Sequence, residues 1–198
     1  LQRGETYHIF NRGNNRGDLF FEERNYRYFL ELYAKYVEPV ADTYAYCLLA
    51  NHFHLLVRIR PTSPGVPGLG SAEATPRVSA PSQQFGRLFN AYAKAINKAH
   101  GRTGSLFQNP FGRVRVTSDS QLVHLVTYIH RNPQKHGFVK DFRLWPYSSY
   151  TGLLSSKPTR LERDEVLAWF QGRVAFRAAH GREVEAARIA ALVAEDDE

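Results

Sequence analysis

Two stretches of this chain carry side chains that together could do chemistry. The segment Asn51 to Arg60, reading NHFHLLVRIR, places His52 and His54 two residues apart. On a β-strand successive side chains point to opposite faces, so both imidazoles share one face with Leu56, Arg58 and Arg60, while Phe53, Leu55, Val57 and Ile59 form the other. Two imidazoles so placed can share one divalent metal if a third ligand arrives from elsewhere; without it they merely decorate a half-exposed strand. Further on, His124, Tyr128 and Asn132 step by four along a helical pattern, beside the apolar stripe Leu122, Leu125, Val126 and Ile129. Pro133 puts Asn132 at or just past the last turn of that helix. A phenolic oxygen can attack a phosphodiester if the phosphorus is made electrophilic and the leaving alkoxide is stabilised. A metal on two imidazoles and one amide oxygen would do both. Cleavage by that route leaves a 5′-phosphotyrosine and a free 3′-hydroxyl, and because the ester retains the bond energy the step can join strands as well as cut them. Tyr128 is one of 11 tyrosines, so its position rather than its type carries this reading.

The elements that must position these groups follow from hydrophobic periodicity. Glu5 to Asn11 alternates as a first strand and runs into the turn NRGNNRGD, where Arg12 and Arg16 could approach a phosphate. Tyr26, Phe29, Leu30, Tyr33 and Val37 recur at helical spacing over Glu22 to Val37. Thr43 to Leu49 reads as a second strand, joined to the histidine strand by a short hairpin at the centre of a sheet. Residues 61–82 hold five prolines and three glycines and read as a flexible loop. A second helix spans Gln84 to Ala99, and Phe111 to Val116 reads as a strand with Arg113 and Arg115 outward. The order strand, helix, strand, strand, helix, strand predicts an α+β, ferredoxin-like (βαββαβ) antiparallel sheet with helices on one face. Its other face is expected to stay free for a ligand, displaying Arg58, Arg60, Arg113 and Arg115 together. The third helix, carrying Tyr128, follows from Gln121. Thr159 and Glu162 resemble a capping box opening a later helix. The predicted organisation is one domain over residues 1–150 and a helical C-terminal extension with an acidic tail over 151–198.

Composition narrows the partners. The chain has 198 residues, 26 Lys and Arg against 19 Asp and Glu, and a single cysteine, Cys47. The last sixteen residues hold six acids and one base, so residues 1–182 carry a net charge of +12. That excess favours a polyanion, nucleic acid before membrane surface. One cysteine excludes an internal disulfide framework or a multi-cysteine zinc site, and no HExxH pattern supports a zinc hydrolase. No apolar run approaches the roughly 20 residues needed to span a bilayer, and no signal-peptide pattern opens the chain, so a cytoplasmic protein is expected.

Five stretches, YHIFNRGNNR from Tyr7, AYCLLANHFHLLVRI from Ala45, GSLFQNPFGRVRV from Gly104, YIHRNPQKHGFV from Tyr128 and WPYSSY from Trp145, resemble in content and order the HUH single-tyrosine transposases, and among them the bacterial REP-associated tyrosine transposases. The resemblance covers roughly residues 5–150, with Ala50 where the family pattern has proline. It implies the HUH endonuclease fold, Tyr128 as nucleophile, and His52, His54 and Asn132 as ligands of Mg²⁺ or Mn²⁺. The implied reaction is cleavage and rejoining of single-stranded DNA beside a palindromic hairpin, in a bacterial cytoplasm, by a monomer or alternatively a dimer. Arg12, Arg16, Arg58, Arg60, Arg113, Arg115 and Lys135 are the expected DNA contacts. A competing reading is a regulatory protein that binds hairpin DNA or RNA without cutting it. Of the other histidines, His8 and His124 are candidates for the active-site side. His130 is expected to turn away from Tyr128 and be packed, and His100, His136 and His180 to lie on the surface.

Overall fold

The computed structural model describes residues 1–61, 80–182 and 189–193. Four strands, β1 (Thr6–Arg12), β2 (Ala41–Leu48), β3 (His52–Ile59) and β4 (Gly112–Val116), form one antiparallel sheet in the order β2-β3-β1-β4. With α1 (Glu23–Tyr36) after β1 and α2 (Pro81–Ala99) before β4, the predicted βαββαβ order is met. The hairpin is off centre, however: β3 and β1 are the inner strands and β2 is an edge.

The apolar side chains of β3 select the first layer. Phe53, Leu55, Val57 and Ile59 join Ile9 against Phe29 and Tyr33 of α1 and Phe85, Phe89 and Tyr92 of α2. Full burial of each such side chain contributes about 1.5–3 kcal/mol relative to exposure. Asn25 helps start α1, accepting from the backbone N–H groups of Phe21 and Glu22 at 2.9 and 3.1 Å. Helix α2 begins at Pro81, three residues before the expected start, because proline at the first helical position sacrifices only an N–H that has no intrahelical partner. The remainder of the proline-rich loop expected over 61–82 lies outside the described residues, apart from Pro61 and Ala80.

The second face of the sheet is not free. It is covered by α3 (Asp119–Lys135), α5 (Arg163–Trp169) and α7 (Ala190–Val193), and behind them α4 (Tyr150–Leu154) and α6 (Arg173–His180) complete the layer, α6 packing on α3. Tyr44, Ala45, Leu56 and Val116 of the sheet share one buried cluster with Leu125 and Ile129 of α3, Val166 of α5, Phe176 of α6 and Leu192 of α7. The expectation of helices on one face and a bare second face is therefore corrected. Among the described residues of this segment, Leu153, Val166, Leu167, Phe170, Phe176, Ile189, Leu192 and Val193 join the buried cluster of Tyr44, Leu56 and Val116, so they share a core with the sheet. The acidic stretches 183–188 and 194–198 lie outside the described residues. The capping box expected at Thr159 is absent: Thr159 Oγ1 accepts from the Leu161 N–H at 3.2 Å, and Glu162 makes no side-chain cap to α5.

Candidate active site

Strand pairing assembles one side of the site. Across β1 and β3, Arg12 faces His52, Phe10 faces His54 and His8 faces Leu56, so His8, Arg12, His52 and His54 share a sheet face. Helix α3 crosses that face, started by Ser118, whose side chain accepts from the Gln121 N–H at 3.3 Å. Pro133 does not stop it at Asn132. Only one ladder bond is lost, and the helix continues to Lys135, holding Asn132 in its last turn. The four-residue spacing then presents Tyr128 and Asn132 to the histidines. The Tyr128 ring meets His54 edge-on with centroids 5.8 Å apart, and Asn132 Oδ1 lies 3.1 Å from His52 Nε2. Lys135 Nζ sits 5.1 Å above the Tyr128 ring.

The site is closed. Tyr128 is 6% exposed, His52 5%, and His54 and Asn132 are fully buried. Burial holds the imidazoles neutral: it lowers His52 and His8 to about 4 against the opposing hydrogen bonds from Asn132 and Leu192, and it lowers His54 well below the ordinary range. Neutral rings allow the tautomers to be deduced. The Leu192 carbonyl can only accept, so His8 Nδ1–H donates to it at 2.8 Å; His8 Nε2 must then accept from His54 Nδ1–H at 3.1 Å. The lone pair of His54 is thereby fixed on Nε2. At His52, Nδ1 faces Asn51 Oδ1 at 2.7 Å and Nε2 faces Asn132 Oδ1. A neutral ring has one hydrogen for these two oxygens, so one pair sets acceptor against acceptor. The Asn132 Nδ2 amide meanwhile finds no hydrogen-bond partner among the described residues.

The cationic residues divide. Arg12 adds positive charge beside His52, and Arg16 is exposed in the turn after β1 with φ of 59°. Arg58 is paired with Asp42 and Glu165 at 3.4 and 3.2 Å, and Arg60 with Asp42 at 2.7 Å. Their charge is spent inside the fold. Arg113 and Arg115 pair across the ladder with Ile9 and Tyr7, on the face that α1 and α2 cover, while Val114 pairs with His8 on the histidine face. Arg115 is bonded to Glu5 at 2.7 Å and Arg113 lies over Phe111. The four arginines expected on one surface thus fall on opposite faces, because the β1–β4 register puts the even-numbered residues of β4 with His8.

Sequence reasoning named His8 without a role, missed the contact of His136 and misplaced His180. His8 was only a candidate, yet it sets the His54 tautomer. His136 is exposed as expected, but its ring stacks edge-on against His52 at 4.9 Å, with Phe138 beyond at 6.5 Å. The signal was present, since His136 continues the line Tyr128, Asn132 by another four. His180 is buried, not on the surface: its Nε2 lies 2.8 Å from Nδ1 of His130, which is packed away from Tyr128 as expected and bonded to Ser149 Oγ at 2.7 Å. Among the described residues, no group of three or more His, Cys, Asp or Glu side chains is arranged to hold a metal ion.

No protein-family model matches the chain. A curated Haemophilus influenzae protein named "Putative REP-associated tyrosine transposase" is 29% identical over 111 residues, which make up 55% of this chain and 58% of that protein. The chain therefore matches little more than half the length of that relative. A solved structure described as a REP-associated tyrosine transposase bound to a REP hairpin aligns with a TM-score of 0.58 at 18% identity, covering 79% of this chain and 84% of the other. In sequence over those 111 residues, and in fold over most of its length, the chain is similar to REP-associated tyrosine transposases.

Proposed function

We propose that the chain is a bacterial, cytoplasmic DNA-processing enzyme that cleaves and rejoins single-stranded DNA beside a palindromic hairpin through Tyr128. The observation that carries the reading is the meeting of Tyr128 and Asn132 with His54 and His52 across α3 and β3, within one chain. A monomer suffices for such a site. Tyr128 attacks a phosphodiester with loss of its phenolic proton; the new bond is a 5′-phosphotyrosine and the bond broken frees a 3′-hydroxyl. Attack by that hydroxyl on the phosphotyrosine reverses the step and rejoins the strand. Lys135 and Arg12 place positive charge beside the attacked phosphate.

The residues present fit a divalent ion, Mg²⁺ or Mn²⁺, held by His52, His54 and Asn132. Both imidazoles are neutral, the His54 lone pair is fixed on Nε2, and the Asn132 amide oxygen lies 3.1 Å from His52 Nε2, so the three donors converge. When bound, such an ion polarises the phosphate and stabilises the leaving oxygen. No described helix is long and apolar enough to cross a membrane.

The test uses an end-labelled REP-type hairpin with single-stranded flanks, incubated with Mn²⁺ or Mg²⁺ and resolved on a denaturing gel. Wild-type protein should form a covalent adduct that EDTA or His52→Ala abolishes. Tyr128→Phe should bind the hairpin with unchanged affinity and form none. An adduct with Tyr128→Phe would refute the assigned nucleophile. Tight wild-type binding with no cleavage under either metal would favour the regulatory, binding-only reading.

A further inference from the structure

A different flank of α3 opens onto a concave cavity of about 670 Å³, formed where the end of α3, the 3₁₀ turn Phe142–Leu144, α4 and α6 meet. Arg131, Lys140, Arg143 and Arg177 line it, with Phe142 and Tyr150 beneath. The carboxylate among the lining residues, Asp141, is held by Arg143 through contacts of 2.7 and 2.8 Å. Arg131 is fixed by backbone instead, its Nη1 donating to the carbonyls of His180 and Arg182 at 2.8 and 2.9 Å, and its guanidinium lies 5.8 Å from the Phe142 ring centroid. Among the described residues no carboxylate pairs with Arg131, Lys140 or Arg177. Three cations without a carboxylate partner among the described residues, converging on one concavity, repel one another and focus a positive potential into it, a cost that a bound polyanion removes.

We infer that this cavity is a second nucleic-acid contact, which grips the phosphates of a single-stranded segment leaving the Tyr128 site. The inference rests on the strand-cleaving reading above. Arg131 is the neighbour of Asn132, and the chain from Lys135 through Phe138 to Lys140 runs from the candidate active site to the cavity rim. A strand with one phosphate at Tyr128 reaches the cavity by following that path. A concavity with basic walls admits the phosphates of one strand, whereas a duplex, a stiff convex rod, touches only the rim.

The test compares full-length wild type with Lys140→Gln/Arg177→Gln and with Arg87→Gln/Lys98→Gln, which removes the same charge from exposed positions on α2, across the sheet. The probes are fluorescein-labelled dT30 and a blunt hairpin, read by anisotropy across a salt series, with adduct formation on the flanked hairpin assayed in parallel. The cavity variant should bind dT30 about tenfold more weakly at physiological salt, and its slope of log affinity against log salt should fall by about 1.4, the value for two lost single-strand phosphate contacts. The α2 variant should match wild type on dT30, and both should bind the blunt hairpin as wild type does. Unchanged dT30 binding in the cavity variant, or an equal loss in both variants, overturns the inference. If wild type still forms the Tyr128 adduct in that case, the strand-cleaving reading survives; if it forms no adduct while the cavity variant alone loses dT30, the cavity stands and the cleaving reading falls.

Discussion

Replacing His8 with Phe tests the hydrogen-bond chain beneath the candidate metal site. His8 is fully buried and joins the Leu192 carbonyl to His54 Nδ1 through bonds of 2.8 and 3.1 Å. Phenylalanine fills similar space but leaves a buried carbonyl and a buried N–H unpaired. Each such group costs about 1–3 kcal/mol, so the fold should lose roughly 2–6 kcal/mol, measurable as a lowered urea midpoint with unchanged m-value. The second consequence is chemical. Without an acceptor at Nδ1, the His54 hydrogen is free to move to Nε2, the nitrogen proposed to ligate the ion. Loss of a partner that orients a ligating imidazole typically costs 10–100-fold in metal affinity, so Mn²⁺ titrated calorimetrically should bind at least about tenfold more weakly. His8→Gln, which returns an acceptor toward His54, should recover part of that loss. Mn²⁺ affinity in His8→Phe equal to wild type would refute the tautomer argument. Recovery in His8→Gln of stability alone, with none of the metal affinity, would reduce His8 to a structural residue.

Two further outcomes follow from the same geometry. Arg58→Gln/Arg60→Gln should leave hairpin affinity within about twofold of wild type while lowering the urea midpoint, because both guanidinium groups are engaged with Asp42 and Glu165 rather than a ligand; a steep loss of salt-dependent binding would contradict this. Burial lowers His180 from its ordinary value of 6.5 to about 4, so its contribution to stability is complete above pH 6.5 and is lost as pH falls toward 4, by up to roughly 3 kcal/mol. His8, His52, His54 and His130 are lowered by burial too, so urea unfolding at pH 7 and pH 4.5 should show a summed loss, and His180→Gln should lose less over that interval than wild type does; parallel pH curves for the two proteins would show that His180 does not titrate in this window.

What the amino-acid sequence determined by itself is the local half of this architecture. Alternation along β3 separates Phe53, Leu55, Val57 and Ile59 from His52 and His54, and that separation survives in the fold because the pleat imposes a period of two wherever the strand is placed. The four-residue step from Tyr128 to Asn132 likewise needs only a helix, and continuing it would have reached His136. Tertiary structure decided everything that depends on what lies across a strand or beyond a loop. The side of the sheet that Arg113 and Arg115 occupy follows from the β1–β4 register, and shifting that register by one residue would exchange it; no property of FGRVRV alone selects it. The face expected to be open is closed by C-terminal helices whose short apolar stretches carry no address for the surface they cover. The pairing of His8 with His54 spans 46 residues, and that of His130 with His180 spans 50. Such contacts form because a buried imidazole must find a hydrogen-bond partner, and only the assembled core determines which partner is within reach.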